Sequence, residues 1–364
     1  MDKKIAVLAG DGIGPEVMHR TLRVLEAIAE KCHHHFDYLV GKIGGSAYDV
    51  YQSHCPDETL RVCEAADAVL FGSVGGPVAL QHEPKWKDCE KNSILKLRQH
   101  LKLSINIRPV TIYPALLENS PLKAHVIQPS QLSVVDCLIF RELLGGLYFG
   151  QHERVIAQGV RVARDECVYD EQKISTIAHA AFRASQLRQK RVCSVDKANV
   201  LATSQLWRDV MNEIAKQYTD VELTHMLVDN CAMQLVLNPA QFDVIVTENM
   251  FGDILSDLAS ALPGSIGLMP SASLNDQGFG LYEPSGGSAP DIAGKGIANP
   301  VAQILSAAMM LRYAFDLSAE AQLIEEAVKD TMTRGIVTRD LAKDPAHAVG
   351  TAAFVDAVCA YILS

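Results

Sequence analysis

Strand-length apolar runs followed by amphipathic stretches recur through the middle of the chain. Residues 191–196, 221–228 and 242–246 are such runs, and each is followed by a segment with the apolar spacing of a helix. Strands that alternate with helices pair in a mostly parallel sheet, which binds ligands at the carboxyl ends of its strands. The pattern therefore predicts an α/β fold with Lys197, Asp229 and Glu248 at that edge.

The N-terminal segment predicts a strand (residues 3–9), a glycine loop (10–15) and an amphipathic helix (16–31). A dinucleotide-binding motif of this type has the spacing Gly-x-Gly-x-x-Gly, and an acidic residue ends its second strand. Here the spacing is Gly-x-Gly-x-Gly, and the next strand (36–40) ends at Val40. We therefore do not expect a Rossmann fold. A second glycine-rich turn, residues 72–77, stays a candidate for close approach to a ligand.

Two aspartates follow the run at residues 242–246. Asp253 and Asp257 are four residues apart, so a helix places both on one face, where like charges repel unless a cation lies between them. Oxygen donors of this kind suit Mg²⁺ or Mn²⁺. A solvated acidic face near the helix N-terminus explains the same pair equally well. Asp229, at the end of another strand, favours the metal site.

Three arginines lie at predicted junctions between elements: Arg98, Arg108 and Arg141. The guanidinium fork matches a carboxylate with two hydrogen bonds, so the set indicates carboxylate recognition. Each arginine taken alone is better explained as a surface ion pair.

Two further segments have a distinct pattern. Residues 151–169 alternate polar and apolar, which predicts an exposed hairpin able to pair with another chain. Residues 278–300 form a glycine-rich loop that is too long for a plain connection.

Composition narrows the class of protein. The chain has 364 residues, 48% of them hydrophobic, enough for two domains or one large α/β unit. Its net charge of −10, without a lysine and arginine run, argues against a nucleic-acid partner. We expect no membrane partner and a cytoplasmic location, because the first residues form a strand and the most apolar window, 297–315, contains several polar residues.

The cysteines and histidines do not indicate a disulfide framework or a metal site. Nine cysteines without a Cys-x-x-Cys pair favour reduced thiols over a disulfide or zinc framework. The run of histidines at residues 33–35 follows a predicted helix end, where a solvated terminus is a better explanation than a metal site.

Six motifs in unbroken order resemble those of the β-decarboxylating hydroxyacid dehydrogenases, the family of isocitrate and isopropylmalate dehydrogenases. They are Gly10-Asp-Gly-Ile-Gly-Pro-Glu16, Asn106-Ile-Arg-Pro109, Arg141-Glu-Leu-Leu-Gly-Gly-Leu-Tyr148, Asp196-Lys-Ala-Asn199, Asn249-Met-Phe-Gly-Asp-Ile-Leu-Ser-Asp257 and Gly287-Ser-Ala-Pro-Asp-Ile-Ala-Gly294. The resemblance implies a two-domain isopropylmalate/isocitrate dehydrogenase-like fold with a large, mostly parallel sheet. A discontinuous cofactor-binding domain would comprise residues 1–106 and 260–364. Residues 107–259 would bind substrate and metal and form the dimer, with a hairpin arm near 151–169.

Within the family the chain is most similar to the branch whose substrate is 3-isopropylmalate. That resemblance implies oxidative decarboxylation of (2R,3S)-3-isopropylmalate to 4-methyl-2-oxopentanoate and CO2 in leucine biosynthesis, with reduction of NAD and one Mg²⁺ or Mn²⁺ in each site. It also implies a homodimer with shared active sites.

Family roles transfer to matching positions. Arg98, Arg108 and Arg141 would bind the two carboxylates, Tyr148 and Lys197 would transfer protons, and Ile94 and Leu95 would face the isopropyl group. Asp253 and Asp257 would hold the metal with the partner's Asp229, which also contacts substrate. The cofactor-binding positions would be Gly76, Glu90, Glu283, Gly287, Ser288, Ala289, Pro290, Asp291, Ile292, Ala293, Gly294 and Asn299.

Some features keep other interpretations open. Gly286 stands where many relatives carry a histidine near the adenine. The metal and arginine set is shared by dehydrogenases of D-malate, tartrate and isocitrate. A non-catalytic regulatory subunit or metabolite-binding protein is a further alternative, although Lys197, Tyr148 and the three aspartates argue for catalysis.

Overall fold

The computed structural model describes residues 1–127 and 135–364, which divide into two compact units. Unit 1 comprises Met1–Leu103, Tyr113–Ser120 and Pro263–Ser364, and unit 2 comprises Ser104–Ile112 and Pro121–Leu262. Residues 113–120, expected in the second domain, belong to unit 1, where the Asn119 side-chain amide donates to the Leu341 carbonyl at 2.8 Å.

Unit 1 contains five strands in the order β2–β1–β3–β12–β11. They are β1 (Asp2–Gly10), β2 (His35–Val40), β3 (Ala68–Ser73), β11 (Pro270–Leu274) and β12 (Gly280–Pro284). Neighbours pair in parallel except β11 and β12. Every residue of β3 is buried, as expected for a parallel strand covered on both faces.

The helices of unit 1 come from both ends of the chain. They are α1 (Gly14–Cys32), α2 (Gly45–Tyr51), α3 (Asp57–Glu64), α4 (Lys96–His100), α10 (Val301–Phe315), α11 (Ser318–Thr333) and α12 (Thr351–Leu363). Helix α10 packs on β3, β11 and β12, and 12 of its 15 residues are buried. Helix α1 packs on α12, so the chain ends are joined through the core of this unit.

The expectation of a long loop over residues 278–300 is wrong for its first part, which contains β12. Only Leu281, Tyr282 and Glu283 lie between the Gly280 and Pro284 that bound this strand, so the local signal is weak. Leu281 and Tyr282 are fully buried and pair with β3. Burial and strand pairing therefore determine a strand that local propensity did not predict.

Unit 2 contains five strands in the order β4–β5–β10–β8–β9 and a separate hairpin of β6 and β7. The strands are β4 (Ile105–Thr111), β5 (Asp136–Glu142), β6 (His152–Ala157), β7 (Val160–Asp165), β8 (Arg191–Asp196), β9 (Glu222–Leu227) and β10 (Val244–Thr247). The helices are α5 (Ala124–Ile127), α6 (Glu171–Gln186), α7 (Ala202–Ala215), α8 (Val228–Leu237) and α9 (Asn249–Ser260). Among these five strands, β4 and β5 are antiparallel and the other neighbours are parallel.

The prediction of a mostly parallel α/β fold is confirmed. Strands β8, β9 and β10 begin and end within two residues of the predicted runs. Their carboxyl ends place Lys197 after β8, Asp229 in the first turn of α8 and Glu248 after β10. Within the described residues, none of the helices has the length and apolarity needed to cross a membrane, and the nine cysteines are all free.

The Asp243 carboxylate fastens the start of β10 to the turn after α6. Its side chain is fully buried and accepts hydrogen bonds from Arg188 Nε at 2.8 Å, the Gln189 amide at 3.1 Å and the Arg191 amide at 3.3 Å. One carboxylate therefore joins three groups that are more than 50 residues away in sequence.

We expect Asp243→Ala to lower the free energy of unfolding by about 2–4 kcal/mol, because it leaves Arg188 Nε and two backbone amides without their acceptor. Urea unfolding followed by circular dichroism measures the change. Asp220→Ala is the matched control, since Asp220 pairs with Lys190 at 3.0 Å on the surface, and its midpoint should be unchanged. Equal midpoints for the two variants would contradict the role of Asp243.

Candidate active site

Helix α9 presents two carboxylates on one face, because Asp253 and Asp257 are one turn apart. The helix begins after the buried strand β10, and its N-cap residue Glu248 accepts a hydrogen bond from the Phe251 amide at 2.9 Å. The Asp253 side chain is 33% exposed and the Asp257 side chain is 64% exposed. Both carboxylates are therefore open to a ligand as well as to the protein.

Strands β4 and β5 supply two cations to this face. Arg141 donates from Nε to Asn249 Oδ1 at 2.9 Å and from Nη1 to Asp253 Oδ1. Arg108 donates from Nη1 to Asp257 Oδ1 at 3.2 Å, and its Nη2 lies 3.7 Å from Asp253 Oδ1. Asn106 of β4 pairs with Arg141 of the antiparallel strand β5. Arg108 lies two residues after Asn106, so the two arginines are close neighbours across the strands.

Both guanidiniums are buried, so neither is the surface ion pair that each suggested when taken alone. A buried cation needs nearby acceptors to offset its lost hydration. Arg108 obtains two more from Asn106 Oδ1 at 2.9 Å and Ser256 Oγ at 2.7 Å. The arginines are therefore fixed in orientation as well as neutralised.

A glycine lets α9 approach Arg141 closely. A Cβ on Gly252 would lie 2.7 Å from both Cβ and Cγ of Arg141 and 3.2 Å from Cγ2 of Thr247. Glycine within a helix costs about 1 kcal/mol relative to alanine. Glycine at this position therefore lowers the intrinsic stability of the helix but allows the helix to pack closely against Arg141.

Tyr148 joins the same cluster from the short 3-10 turn Gly146–Tyr148, which follows β5. Its hydroxyl donates to Asp253 Oδ2 at 2.8 Å, and the Arg141 guanidinium lies 5.6 Å from its ring centroid. Burial, followed by the hydrogen bond to Asp253, raises the pKa of Tyr148 to about 12. The phenol therefore stays protonated at neutral pH.

Lys197 and Asp229 form a second pair in unit 2. Lys197 Nζ donates to Asp229 Oδ1, and the Lys197 amide donates to Ser204 Oγ at 3.0 Å. Asp229 is 64% exposed. In the described part of a single chain, Asp229, Asp253 and Asp257 do not come together as one group of potential metal ligands.

Arg98 lies on α4 in unit 1. It is buried, and its Nη2 donates to Glu283 Oε1 at 2.7 Å. Its Nε is also buried and has no hydrogen-bond partner within the described residues. The predicted substrate-binding residue Arg98 and the predicted cofactor-binding residue Glu283 are thus direct partners.

The segment before Arg98 has an unusual backbone. Lys91–Leu95 is a π-helical turn that continues into α4, and turns of this kind are often found at functional sites. Ile94 is buried in a hydrophobic cluster with Leu97 and Leu103, so it is a core residue. Leu95 is half-buried and offers aliphatic surface.

Unit 1 also contains a cleft of about 640 Å³, lined mainly by apolar groups. Predicted cofactor positions Gly287, Ala289, Ile292 and Asn299 line it, together with Gly286. A Cβ on Gly286 would meet only Ile266, at 3.8 Å. The absent histidine therefore leaves open space beside Ile266.

Gln303 is the orphaned polar group of this cleft. It is 1% exposed, and neither its amide nitrogen nor its amide oxygen has a hydrogen-bond partner among residues 1–127 and 135–364. An unsatisfied buried amide is costly, by roughly 1–3 kcal/mol. A ligand with both a donor and an acceptor, such as a purine base, would satisfy it.

The N-terminal glycine loop supports the cleft from within the protein. The Ile13 amide donates to the Ser288 carbonyl at 2.8 Å, and a Cβ on Gly12 would lie 1.9 Å from that oxygen. Gly12 also has a φ of 57°, which favours glycine. The loop that resembles a dinucleotide fingerprint therefore packs against the chain's own backbone, in accordance with the prediction that it is not Rossmann-like.

A second cleft of unit 1, of about 830 Å³, is lined by more polar groups. It contains Gly76, Glu90 and Gly287, Ser288, Ala289, Pro290 and Asp291. Trp86 lies against Gly76, where a Cβ would meet its ring at 2.3 Å. Two of the remaining predicted positions, Ala293 and Gly294, directly follow the 3-10 turn Pro290–Ile292. Gly294 has a φ of 71°.

Two charged residues of the first cleft were missed by sequence reasoning. Arg339 and Asp340 line it from a segment far from every motif that was recognised. Asp340 Oδ2 accepts from Asn299 Nδ2 at 2.9 Å and from Ser265 Oγ at 2.5 Å. No local pattern marks this pair, because its position depends on the packing of the C-terminal segment.

Glu142 was also missed, although it directly follows Arg141. It is fully buried and accepts hydrogen bonds from the Leu144 amide at 2.8 Å and the Gly145 amide at 2.7 Å. Burial raises its pKa to about 7 despite these bonds. The carboxyl group thus fixes the turn that leads from Arg141 to Tyr148.

Comparison with known proteins gives consistent matches. A profile of the isocitrate/isopropylmalate dehydrogenase family matches residues 4–358. The 3-isopropylmalate dehydrogenase of Shouchella clausii (strain KSM-K16) is 52% identical over 359 residues, covering 98% of this chain and 97% of the relative. That of Thermotoga maritima is 51% identical over 362 residues, covering 98% of both. The crystal structure of isocitrate dehydrogenase from Methylococcus capsulatus superposes with a TM-score of 0.86 at 34% identity, covering 100% of both chains.

We expect Gly252→Ala to destabilise unit 2 by about 1–3 kcal/mol through overpacking against Arg141, although alanine is the better helix former. Differential scanning calorimetry measures the shift. Gly287→Ala is the matched control, because a Cβ there meets nothing within 4 Å, and it should melt like the wild type. A more stable Gly252→Ala protein would show that α9 does not need this close approach.

Proposed function

Because the chain belongs to the isocitrate/isopropylmalate dehydrogenase family, we propose that it catalyses the oxidative decarboxylation of (2R,3S)-3-isopropylmalate. The products are 4-methyl-2-oxopentanoate, CO2 and reduced NAD, and the reaction serves leucine biosynthesis. The names and roughly 50% identity of the relatives support this substrate. The single structural observation that carries the chemistry is the cluster in which Asp253 contacts Arg141, Arg108 and Tyr148.

Carboxylate binding is assigned to Arg98, Arg108 and Arg141. The fixed, buried guanidiniums of Arg108 and Arg141 support this role, because preorganised donors lose little entropy when a carboxylate binds. A substrate carboxylate would replace the aspartate oxygens as their acceptor.

The divalent cation is assigned to Asp253 and Asp257 together with the partner's Asp229. Their oxygens and their exposure fit Mg²⁺ or Mn²⁺. When bound, such an ion acts as a Lewis acid toward the substrate oxygens. The ion would also neutralise the aspartate carboxylates, which the arginines neutralise in the chain without it.

Proton transfer is assigned to Lys197 and Tyr148. Lys197 would take the proton of the substrate hydroxyl while the C2 hydrogen leaves as hydride to NAD. Tyr148 would protonate C3 after CO2 has left. Its raised pKa supports a donor role, since the phenol holds its proton at neutral pH.

The cofactor is assigned to the two clefts of unit 1. The Gln303 amide, which lacks a partner among the described residues, fits a base, and Asp291 fits a ribose hydroxyl. A 2′-phosphate would meet the negative charge of Asp291, which supports NAD over NADP. Arg339 lines the cleft that Ile292 also lines, so one cation is present on that side of the site.

Selectivity for the isopropyl group is assigned mainly to Leu95. Ile94 belongs to the core, so its contribution would be to hold the turn in place. An aliphatic surface gains roughly 0.8 kcal/mol for each methylene-sized group buried. Isocitrate carries a carboxylate at that position, and burying it against Leu95 without a partner costs several kcal/mol.

We also propose a homodimer with shared sites in the cytoplasm. Unit 2 exposes a set of apolar side chains on the hairpin, α8 and α9 whose exposure would be reduced by a second copy. They are Val155, Ile156, Val160, Met233, Val236, Leu237 and Ile254. The pairing of Lys197 with Asp229, in one chain without the other aspartates, supports their action in a partner's site.

The main experiment is an assay of NADH formation with Mg²⁺ and a panel of 3-isopropylmalate, D-malate, tartrate and isocitrate. We expect kcat/KM for 3-isopropylmalate to exceed that for D-malate by about ten to several hundredfold, because apolar pockets discriminate by a few kcal/mol. Isocitrate should be nearly inert. A chelator should abolish activity, and Mg²⁺ or Mn²⁺ should restore it.

Two arms of this assay refine the result. Leu95→Ser should reduce the preference for 3-isopropylmalate while D-malate turnover changes less, and Ile94→Val is the conservative control. NADP should replace NAD poorly. A wild-type preference for isocitrate or D-malate would contradict the proposed substrate. Full activity in the presence of a chelator would contradict the proposed metal requirement. Absence of NADH formation with every substrate would support a non-catalytic protein.

Subunit complementation tests the shared site. Lys197→Ala and Tyr148→Phe chains should each be inactive, and their mixture should recover partial activity, because one of the two sites in a mixed dimer would hold both groups. Activity after mixing, compared with that of each variant alone, is the measurement. Absence of recovery in mixed dimers proven by differently tagged chains would refute sharing.

A further inference from the structure

A cysteine, a histidine and a glutamate from distant parts of the sequence meet in unit 1. Cys32 ends α1, His34 follows two residues later, and Glu320 lies in the first turn of α11. One potential ligand atom from each side chain lies within 4.8 Å of the other two. Among residues 1–127 and 135–364, this is the one group of three histidine, cysteine or acidic side chains found so close together.

The expectation that residues 33–35 form a solvated terminus is wrong for His34. Its side chain is only 12% exposed, and its Nε2 lies 2.7 Å from Glu320 Oε1 on a side chain that is 15% exposed. The reason is tertiary: α11 approaches the end of α1 and covers the imidazole. Two potential ligands are therefore already in contact and largely shielded from water.

The backbone around these side chains is also held in place. The His34 amide donates to the Ala29 carbonyl at 3.0 Å, and the His35 amide donates to the Met1 carbonyl at 2.8 Å. The His34 ring packs near Phe36, with centroids 6.1 Å apart. Glu320 is carried by a 16-residue helix. Ligands on fixed elements bind metals with a smaller loss of conformational entropy.

We propose that Cys32, His34 and Glu320 form a zinc-binding site in which water completes the coordination. Zn²⁺ accepts sulfur, nitrogen and oxygen ligands together, whereas Mg²⁺ and Ca²⁺ require oxygen donors. Zn²⁺ binds its ligands at roughly 2.0–2.3 Å in a tetrahedral arrangement. The ligand atoms of such a site lie somewhat closer to one another than 4.8 Å, the upper limit of their separation in this cluster. Side-chain rotations would have to bring the sulfur into range, and the 2.7 Å hydrogen bond between His34 and Glu320 would have to open to admit the ion.

Such a site would fasten the C-terminal end of α1 to the N-terminal end of α11. The thiolate is the form of cysteine that binds Zn²⁺, so binding releases the thiol proton. The aspartates of unit 2 supply only oxygen donors, whereas the proposed zinc site also has a sulfur donor. Metal ions bound at the two sites can therefore be distinguished spectroscopically.

The experiment uses the full chain with saturating Mg²⁺ and titrates Co²⁺ as the probe for Zn²⁺. A thiolate-to-cobalt charge-transfer absorption requires a cysteine ligand, so ions bound by aspartates alone do not produce it. We expect the absorption to saturate at one Co²⁺ per chain and to disappear on addition of Zn²⁺. Cys32→Ser should abolish it, and His34→Gln and Glu320→Gln should weaken binding by about tenfold or more.

Two variants serve as controls. Cys359→Ser removes another partly buried thiol at a helix position and should retain the absorption, as should Asp253→Asn. Folding is checked by thermal melting, in which Zn²⁺ should raise the transition of the wild type by several degrees and leave that of Cys32→Ser unchanged. Absence of the charge-transfer band in the wild type, or its persistence in Cys32→Ser, would overturn the site.

Discussion

The Asp253 carboxylate is the interaction on which the geometry of unit 2 depends. It accepts from Arg141 and Tyr148 and lies within 3.7 Å of Arg108. Strands β4 and β5 can bury two guanidiniums at this edge only because α9 supplies carboxylates to them. A dicarboxylate with a divalent cation would offer each side a replacement partner, since the arginines would bind the substrate and the aspartates the ion. The same charges that stabilise the fold are therefore those that the proposed chemistry uses.

Two glycines make close approach possible in the two units. Gly252 lets α9 lie against Arg141, and Gly12 lets the N-terminal loop reach the carbonyl of Ser288. In both places a side chain as small as a methyl group would enter the van der Waals space of another atom. Contacts within the protein are enough to explain these glycines, so a glycine motif is weak evidence for nucleotide binding by itself.

The two units carry different parts of the proposed reaction. Unit 1 holds two clefts, the buried pair of Arg98 and Glu283, and the Gln303 amide, which has no partner in the part of the chain that the structure describes. Unit 2 holds Lys197 and Tyr148, to which proton transfer is assigned in the proposal, and the aspartates. A cofactor with an aromatic base that has hydrogen-bonding edges and with polar phosphates suits the first, and a small dicarboxylate suits the second. The proposed zinc site lies in unit 1 and involves none of these residues.

The sequence by itself determined the features that depend on neighbours along the chain. Alternating apolar runs predicted β8, β9 and β10, and a four-residue spacing predicted the shared face of Asp253 and Asp257. Tertiary structure decided the rest. It buried β12, moved Tyr113–Ser120 into unit 1 and brought Glu320 to Cys32 and His34 across almost 300 residues. The physical reason is that periodicity and spacing are fixed by local backbone geometry, whereas burial and charge pairing depend on which distant elements pack together.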